Sequence, residues 1–511
     1  MWLWDNEGGE AVERRRPLFL RLGLALCLLW NAVPIAGAAA PHSADTQECL
    51  ACHVQATPGI VSDWQRSRHA QVTPAEAMAV EPLSRKVSSP NVPEGLKGHS
   101  VGCAECHTVR AEAHQDTVEH NGYRMYVVVS PEDCRTCHQE EATQYRKNLM
   151  AHAHDNLMKN PLYRQLVDAV NGLQTFDGGV LQASAPMAHT NDDSCLSCHG
   201  TDVRVQGTVS RETDFGTMDF AVLSGWPNAG VGRLNPDGSH GSCASCHVRH
   251  GFSMEVARKP ETCSQCHKGP DVPAYKVYGV SKHGNLYGSL KDKWNFTNVP
   301  WVMGKDANAP TCAVCHVSLV VDENKKVLAK RTHAMNDRLP WRIFGLVYAH
   351  PHPRDPETHK IVNADGLALP TRLDGSWAAE ALIDKVEQDA RRKTMQAVCL
   401  DCHGTAWVDG HWERFEKTIE ETNRMTGTAT AVMVRAWKEK RAMGPPDNPF
   451  DEALEKRWVE QWLFFANSIR FSSAMMGADY SVFDNGRWSQ SKGLREMEQL
   501  YRSLSPGQGG R

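Results

Sequence analysis

Along most of this 511-residue chain the apolar positions are short and scattered, and only two stretches carry a pattern long enough to define elements. The first, Leu18 to Ile35, is largely apolar and follows the basic triplet Arg14, Arg15 and Arg16. Ala36-Gly37-Ala38-Ala39-Ala40 closes it with small residues. Basic flank, apolar run and small-residue site make residues 1–40 read as a secretory signal. Arg21 interrupts the run, which leaves an uncleaved anchor as the alternative. No later run approaches the ~20 apolar residues of a spanning helix. The expected mature chain therefore has no membrane span, is soluble, and is periplasmic.

The second stretch is C-terminal. From His411 to Arg441 the chain is rich in Glu, Lys, Arg, Met and Ala without a proline, which predicts a long helix ended by Pro445 and Pro446. Asn448-Pro449 offers an N-cap with proline at the first helical position. Leu454, Trp458, Trp462, Phe465 and Ile469 recur at spacings of three and four, one apolar helix face. A shorter helix is expected near residues 493–503. Between about 41 and 405 no such period exists, so short helices, long loops and few strands are expected there.

Cysteine explains how a region so poor in apolar pattern can fold. Cys-x-x-Cys-His occurs eight times: Cys49/Cys52/His53, Cys103/Cys106/His107, Cys134/Cys137/His138, Cys195/Cys198/His199, Cys243/Cys246/His247, Cys263/Cys266/His267, Cys312/Cys315/His316 and Cys399/Cys402/His403. Composition alone would place about 0.03 such motifs in the chain. The spacing is that of c-type haem attachment. Two thiols on one helical turn meet the two vinyl groups, and the next His reaches the iron. Zinc does not require a His after every second Cys, and disulfides would not fix every spacing at two. Sixteen of the 17 cysteines are used, and the last, Cys27, lies in the signal segment. Eight covalently bound haem c groups are therefore expected to fill much of the interior.

Each iron has a motif His and needs a second ligand to become a low-spin carrier. Sixteen of the 24 histidines lie outside the motifs. His69, His120, His154, His250, His283, His333 and His411 are the expected distal ligands, with His152, His189, His350 and His352 in reserve. A wire would have every iron six-coordinate, whereas an enzyme leaves one open, and spacing does not tell which. The formal net charge of −4 indicates no nucleic-acid or anionic-membrane partner.

With the motifs placed, the chain from about 45 to 490 resembles the octahaem hydroxylamine oxidoreductase family. The stretches that carry the resemblance are Asp193-Ser-Cys-Leu-Ser-Cys-His-Gly200, Asn235-Pro-Asp-Gly238, Cys263-Ser-Gln-Cys-His-Lys-Gly-Pro-Asp271, Ser281-Lys-His-Gly284, Asn298-Val-Pro-Trp-Val-Met-Gly-Lys305 and Tyr348-Ala-His-Pro351. The resemblance implies a mainly α multihaem cytochrome c, with short helices and loops around eight haems followed by long C-terminal helices. It divides the chain into the signal (1–40), an octahaem catalytic body (41–405) and a C-terminal helical region making the subunit contact (406–511).

It further implies that the haem of Cys195, Cys198 and His199 is five-coordinate and catalytic. In oxidative members a tyrosine of a neighbouring subunit is bonded to that porphyrin, giving a P460-type haem. Ser472-Ser-Ala-Met-Met-Gly-Ala-Asp-Tyr480 resembles the segment that carries it, which makes Tyr480 the candidate and a homotrimer the expected assembly. Tyr501 is a weaker candidate. Asp271 is the expected proton acceptor and Tyr348 a further pocket residue. Many relatives have His after Gly-Pro-Asp where this chain has Val272, so a second imidazole would come from His350 or His240 or be absent. The implied activity is oxidation of hydroxylamine to nitric oxide or nitrite, with electrons leaving through seven bis-His haems to a periplasmic cytochrome c. Alternatives are a hydrazine dehydrogenase, an ammonium-forming reductase, and a non-catalytic electron-transfer cytochrome.

Overall fold

None of the eight motifs needs more local structure than a turn or two. Cys103–His107, Cys195–His199 and Cys312–His316 are five-residue helices, Cys243–Ser245 is a single 3₁₀ turn, and Cys49 to His53 lies inside Ala44–Ala56. Short side-chain caps hold such elements. Ser67 accepts from the Ala70 amide at the head of Arg68–Gln71, and Ser281 from the Gly284 amide at the head of Lys282–Leu290. Each cap places a histidine, His69 and His283, at the second helical residue. The computed structural model describes residues 39–506. The signal segment up to residue 38, with Cys27, lies outside them. Among the described residues no helix is long and apolar enough to cross a membrane.

The chain is mainly α, but strands are more frequent than the sequence pattern suggested. Eleven short ones form five small sheets among the described residues. The reason is local turn chemistry. Asn121 and Gly122, both at positive φ, join Thr117–His120 to Tyr123–Tyr126, and Gly178 and Gly179 do the same between Leu173–Asp177 and Val180–Ser184. Such paired left-handed residues favour a tight hairpin. The longest ribbon, Arg204–Thr213 with Gly216–Ser224, packs on the first hairpin.

The C-terminal helices run Thr405–Lys438, then continuously through 453–475, then Arg487–Ser503. The expected start at Asn448-Pro449 is not used. Asn448 Oδ1 accepts the Phe450 amide and makes a turn, and the helix begins at Ala453. The carboxylate of Glu455 caps it by accepting the Asp451 and Glu452 amides at 3.2 and 3.1 Å. Leu454, Trp458, Trp462 and Ile469 are buried as expected, but Phe465 is only half-buried. The segment Glu460–Ala466 is a π-helix, whose wider turn advances the inward face by one residue, so Ala466 occupies the core instead.

Away from the motifs, His114, Asp116, Asp133 and Asp237 form a buried network with Arg110. His114 bonds Asp116 and Asp133 at 3.2 Å, and Arg110 bonds Asp133 at 2.8 Å. Burial pulls the His114 imidazole down, but its two carboxylate hydrogen bonds outweigh it and raise its pKa to about 9. A folded value above the unfolded 6.5 stabilises the fold fully below about pH 6.5, and the gain is lost as pH rises through 9. The urea midpoint is expected to fall between pH 6.5 and 9.5, corresponding to about 3 kcal/mol of stability, and His114→Gln should remove that pH dependence.

Candidate functional site: the haem centres

The fold brings motif histidines opposite partners at a characteristic spacing. A ligating imidazole nitrogen stands about 2.0–2.1 Å from a metal and about 1.1 Å from its own ring centre, so two trans ligands have ring centres about 6.2–6.4 Å apart. His53 and His120 are at 6.2 Å, His138 and His69 at 6.2 Å, His403 and His283 at 6.1 Å, and His247 and His333 at 6.5 Å. The residues therefore fit an iron between each pair. The first hairpin delivers His120, and the two serine-capped helices deliver His69 and His283. His250 is near enough to His107 to act on it electrostatically, and His107 Nδ1 donates to the Tyr126 carbonyl, which leaves its Nε2 for a metal. Burial lowers His69 and His333 to about 3 and His247 to about 4, so all three are neutral and ligand-ready.

Two histidines held in reserve have the same geometry. His350 and His352 are 0% and 2% exposed, and their Nδ1 atoms donate to the Pro351 and Pro353 carbonyls at 2.7 and 3.2 Å. His350 Nε2 is buried without a partner. Burial, with Arg342 or Arg391 nearby, holds both near 3. His152 and His240 lie 5.4 Å apart, neither in a motif, and His152 Nε2 is taken by the Arg146 carbonyl. His411 stacks between Trp407 and Phe415 on one face of its helix.

The thiols give the order in which attached groups would meet. Every motif cysteine is free of disulfide bonds. Cys49 lies beside Cys103, Cys134 beside Cys243 and Cys263 beside Cys312. Cys106 and Cys137, Cys246 and Cys263, and Cys315 and Cys399 are near enough to act on one another electrostatically. These contacts string the first, second, third, fifth, sixth, seventh and eighth motifs into one line. Cys52 is half-buried on the same helix Ala44–Ala56 as Cys49, and Cys402 of the eighth motif is exposed. The fourth motif stands off the line, joined by Cys198 beside Cys266 of the sixth. Such an end point suits a site where electrons enter or leave.

The fourth motif is packed by glycines. Gly200, at φ +92°, lies so close to residues 232–233 that a Cβ there would come within 2.2 Å of the Arg233 nitrogen. The Val231 amide bonds the Cys198 carbonyl at 3.0 Å. His199 Nδ1 donates to the Ala153 carbonyl at 3.2 Å. Asp271 acts electrostatically on Cys198, His199 and His267, and its backbone carbonyl accepts from Asn467.

The tyrosines fall differently. Tyr348 is buried in the C-terminal apolar cluster and its hydroxyl donates to the Leu373 carbonyl at 2.7 Å. Tyr480 is 9% exposed within its own chain, and burial together with Asp484 raises its pKa to about 12. Tyr501 donates to Glu439. Sequence reasoning missed Asn423, Asn467 and Arg470, which join the Asp271 segment to residues 343–349. The available signal was Asn467 and Arg470 interrupting an apolar helix three residues apart.

Residues 229–341 match the family described as seven times multi-haem cytochrome CxxCH, and residues 133–219 match cytochrome c554 and c-prime. A solved structure described as a hypothetical multiheme protein is 39% identical, covering 91% of this chain and 96% of its own, with a TM-score of 0.86. The chain belongs to the multihaem c-type cytochromes. This cytochrome is also 26% identical to a probable nitrite reductase–hydroxylamine oxidoreductase fusion protein of Kuenenia stuttgartiensis, over 89% of the chain but only 46% of that relative. It thus spans less than half of that protein. A reducing HAO-like protein complex of the same organism shares the fold at 18% identity, covering 90% of this chain and 85% of its own, with a TM-score of 0.59. The cytochrome carries covalent haem c and functions in redox electron transfer.

Proposed function

We propose that this cytochrome turns over hydroxylamine, or a similarly small nitrogen compound, at the haem held by Cys195, Cys198 and His199. The observation that carries the reading is the side position of the fourth motif, an end point joined to a line of seven. Haem iron supplies the redox chemistry when bound. His199 is held in one tautomer by the Ala153 carbonyl and fixes the proximal side. Asp271 takes protons released as hydroxylamine is converted to nitric oxide or nitrite. Asn467 holds the Asp271 backbone. The paired histidines would hold the remaining haems, which would supply an electron route toward a periplasmic c-type cytochrome, with partners for His267 and His316 drawn from His154, His350, His352 and His411.

The test is the purified holoprotein given hydroxylamine with an artificial acceptor. Acceptor reduction together with a high-spin ferric signal supports the reading. A protein whose irons are all low-spin and which reduces no acceptor is the electron-transfer cytochrome instead. A hydrazine comparison separates the two oxidative substrates.

Oxidation in a homotrimer rests on Tyr480 bonding a neighbour's porphyrin. Tyr480→Phe is then expected to abolish the red-shifted haem band, interchain bonding in denaturing gels, and at least tenfold of the oxidation rate. A second reading, reduction of nitrite or hydroxylamine to ammonium, is favoured by the burial of Tyr480 in its own chain. It predicts eight haems, one open iron and no interchain bond.

A further inference from the structure

Among the described residues four arginines are buried almost completely: Arg233, Arg258, Arg338 and Arg470. The first three are well supplied. Arg233 bonds Asn235, the Asn228 carbonyl and the Val129 carbonyl, and Asp237 acts on it. Arg258 bonds two carbonyls, lies over the Trp301 ring, and has Asp306 nearby. Arg338 bonds four carbonyls beside the seventh motif, with Asp337 nearby.

Arg470 differs. It is 0% exposed, and its Nη1 reaches the Ile343 carbonyl and Asn467 Oδ1, both at 3.2 Å, while Nη2 reaches Asn423 Oδ1 at 2.8 Å. Its Nε is buried with no partner. No acidic group among the described residues acts on it, and desolvation alone lowers its pKa, to about 9. A desolvated guanidinium with no counter-charge is costly and is retained where an anion completes it.

Its surroundings are those of the proposed catalytic pocket. Asn467 also donates to the Asp271 carbonyl, and Asn423 clamps the Ala349 backbone by accepting its amide and donating to its carbonyl. The next residue, His350, has its unpartnered Nε2, and both Arg342 and Arg470 act on it. The planar fork of an arginine matches a planar anion with two terminal oxygens. We propose that Arg470 is an oxyanion site of the Asp271 pocket that takes a planar two-oxygen anion, supplied either by free nitrite or by a haem carboxylate. The inference rests on the proposed open iron of the fourth motif, and it adds a preference for nitrite over neutral ligands there.

The test uses the ferric holoprotein with sodium nitrite and, separately, imidazole as a neutral ligand, followed by the haem spectrum, with a redox titration alongside. Arg470→Met is expected to weaken nitrite at least tenfold and leave imidazole unchanged, with Arg470→Lys intermediate because it keeps the charge and loses the fork. Unchanged nitrite affinity with a lowered midpoint potential of one haem, restored by Arg470→Lys, assigns the anion as a haem carboxylate. Nitrite affinity and every potential both unchanged in Arg470→Met would overturn the site. If the Met variant does not fold, Arg470→Lys carries the test, with at least a threefold loss of nitrite affinity or a shifted potential expected and no change overturning the site. A wild-type protein in which no band answers either ligand removes the open iron, and the potential shift then still decides on Arg470.

Discussion

Replacing Asp271 with Asn is expected to lower kcat for hydroxylamine by about 10²–10⁴-fold, the range for a lost positioned acid–base group, with the haem content and the spectrum unchanged. Converting hydroxylamine to a nitrogen oxide releases protons along with electrons, and an amide of the same shape cannot take them. The substitution spares the fold because the contact that anchors this segment, from Asn467, goes to the backbone carbonyl of Asp271 and not to its carboxylate. Steady-state kinetics with an artificial acceptor, beside a pyridine haem count, make the check. A variant that keeps kcat within threefold removes Asp271 as the proton acceptor.

Trp462→Ala is expected to cost about 3–5 kcal/mol of stability, the usual range for a buried aromatic replaced by Ala. Trp462 is 0% exposed and packs edge-on to Trp458 at 5.7 Å and Phe450 at 6.4 Å, at the centre of the largest C-terminal apolar cluster. It also sits in the π-helical turn, so the helix cannot slide a neighbour into the cavity without giving up the register that seats Ala466. A urea or thermal midpoint on the holoprotein checks this, with Trp488→Ala as control. Trp488 is 71% exposed, so its midpoint should stay within the error of wild type.

The tight turns show where a closer reading of short signals would have improved the expectation. Asn121-Gly122 and Gly178-Gly179 are visible hairpin signals, but the strands they join are four or five residues long and lack a full alternation of apolar and polar positions. The π-helical shift at Glu460–Ala466 was not legible. Spacings of three and four fit an ordinary helix through Phe465, and only packing against the neighbouring helices selects the wider turn.

The sequence by itself determined what is covalent and local. Eight Cys-x-x-Cys-His motifs name the cofactor and its anchoring atoms, since that chemistry is complete within five residues. Serine caps ahead of His69 and His283 are local in the same sense. Which imidazoles come together was decided only by tertiary structure, because His247 and His333, or His53 and His120, are far apart in the chain and no spacing rule links them. The side position of the fourth motif and the unpaired charge of Arg470 are likewise properties of three-dimensional contact. Each depends on which groups are absent from its surroundings, and a linear order of residues does not state that.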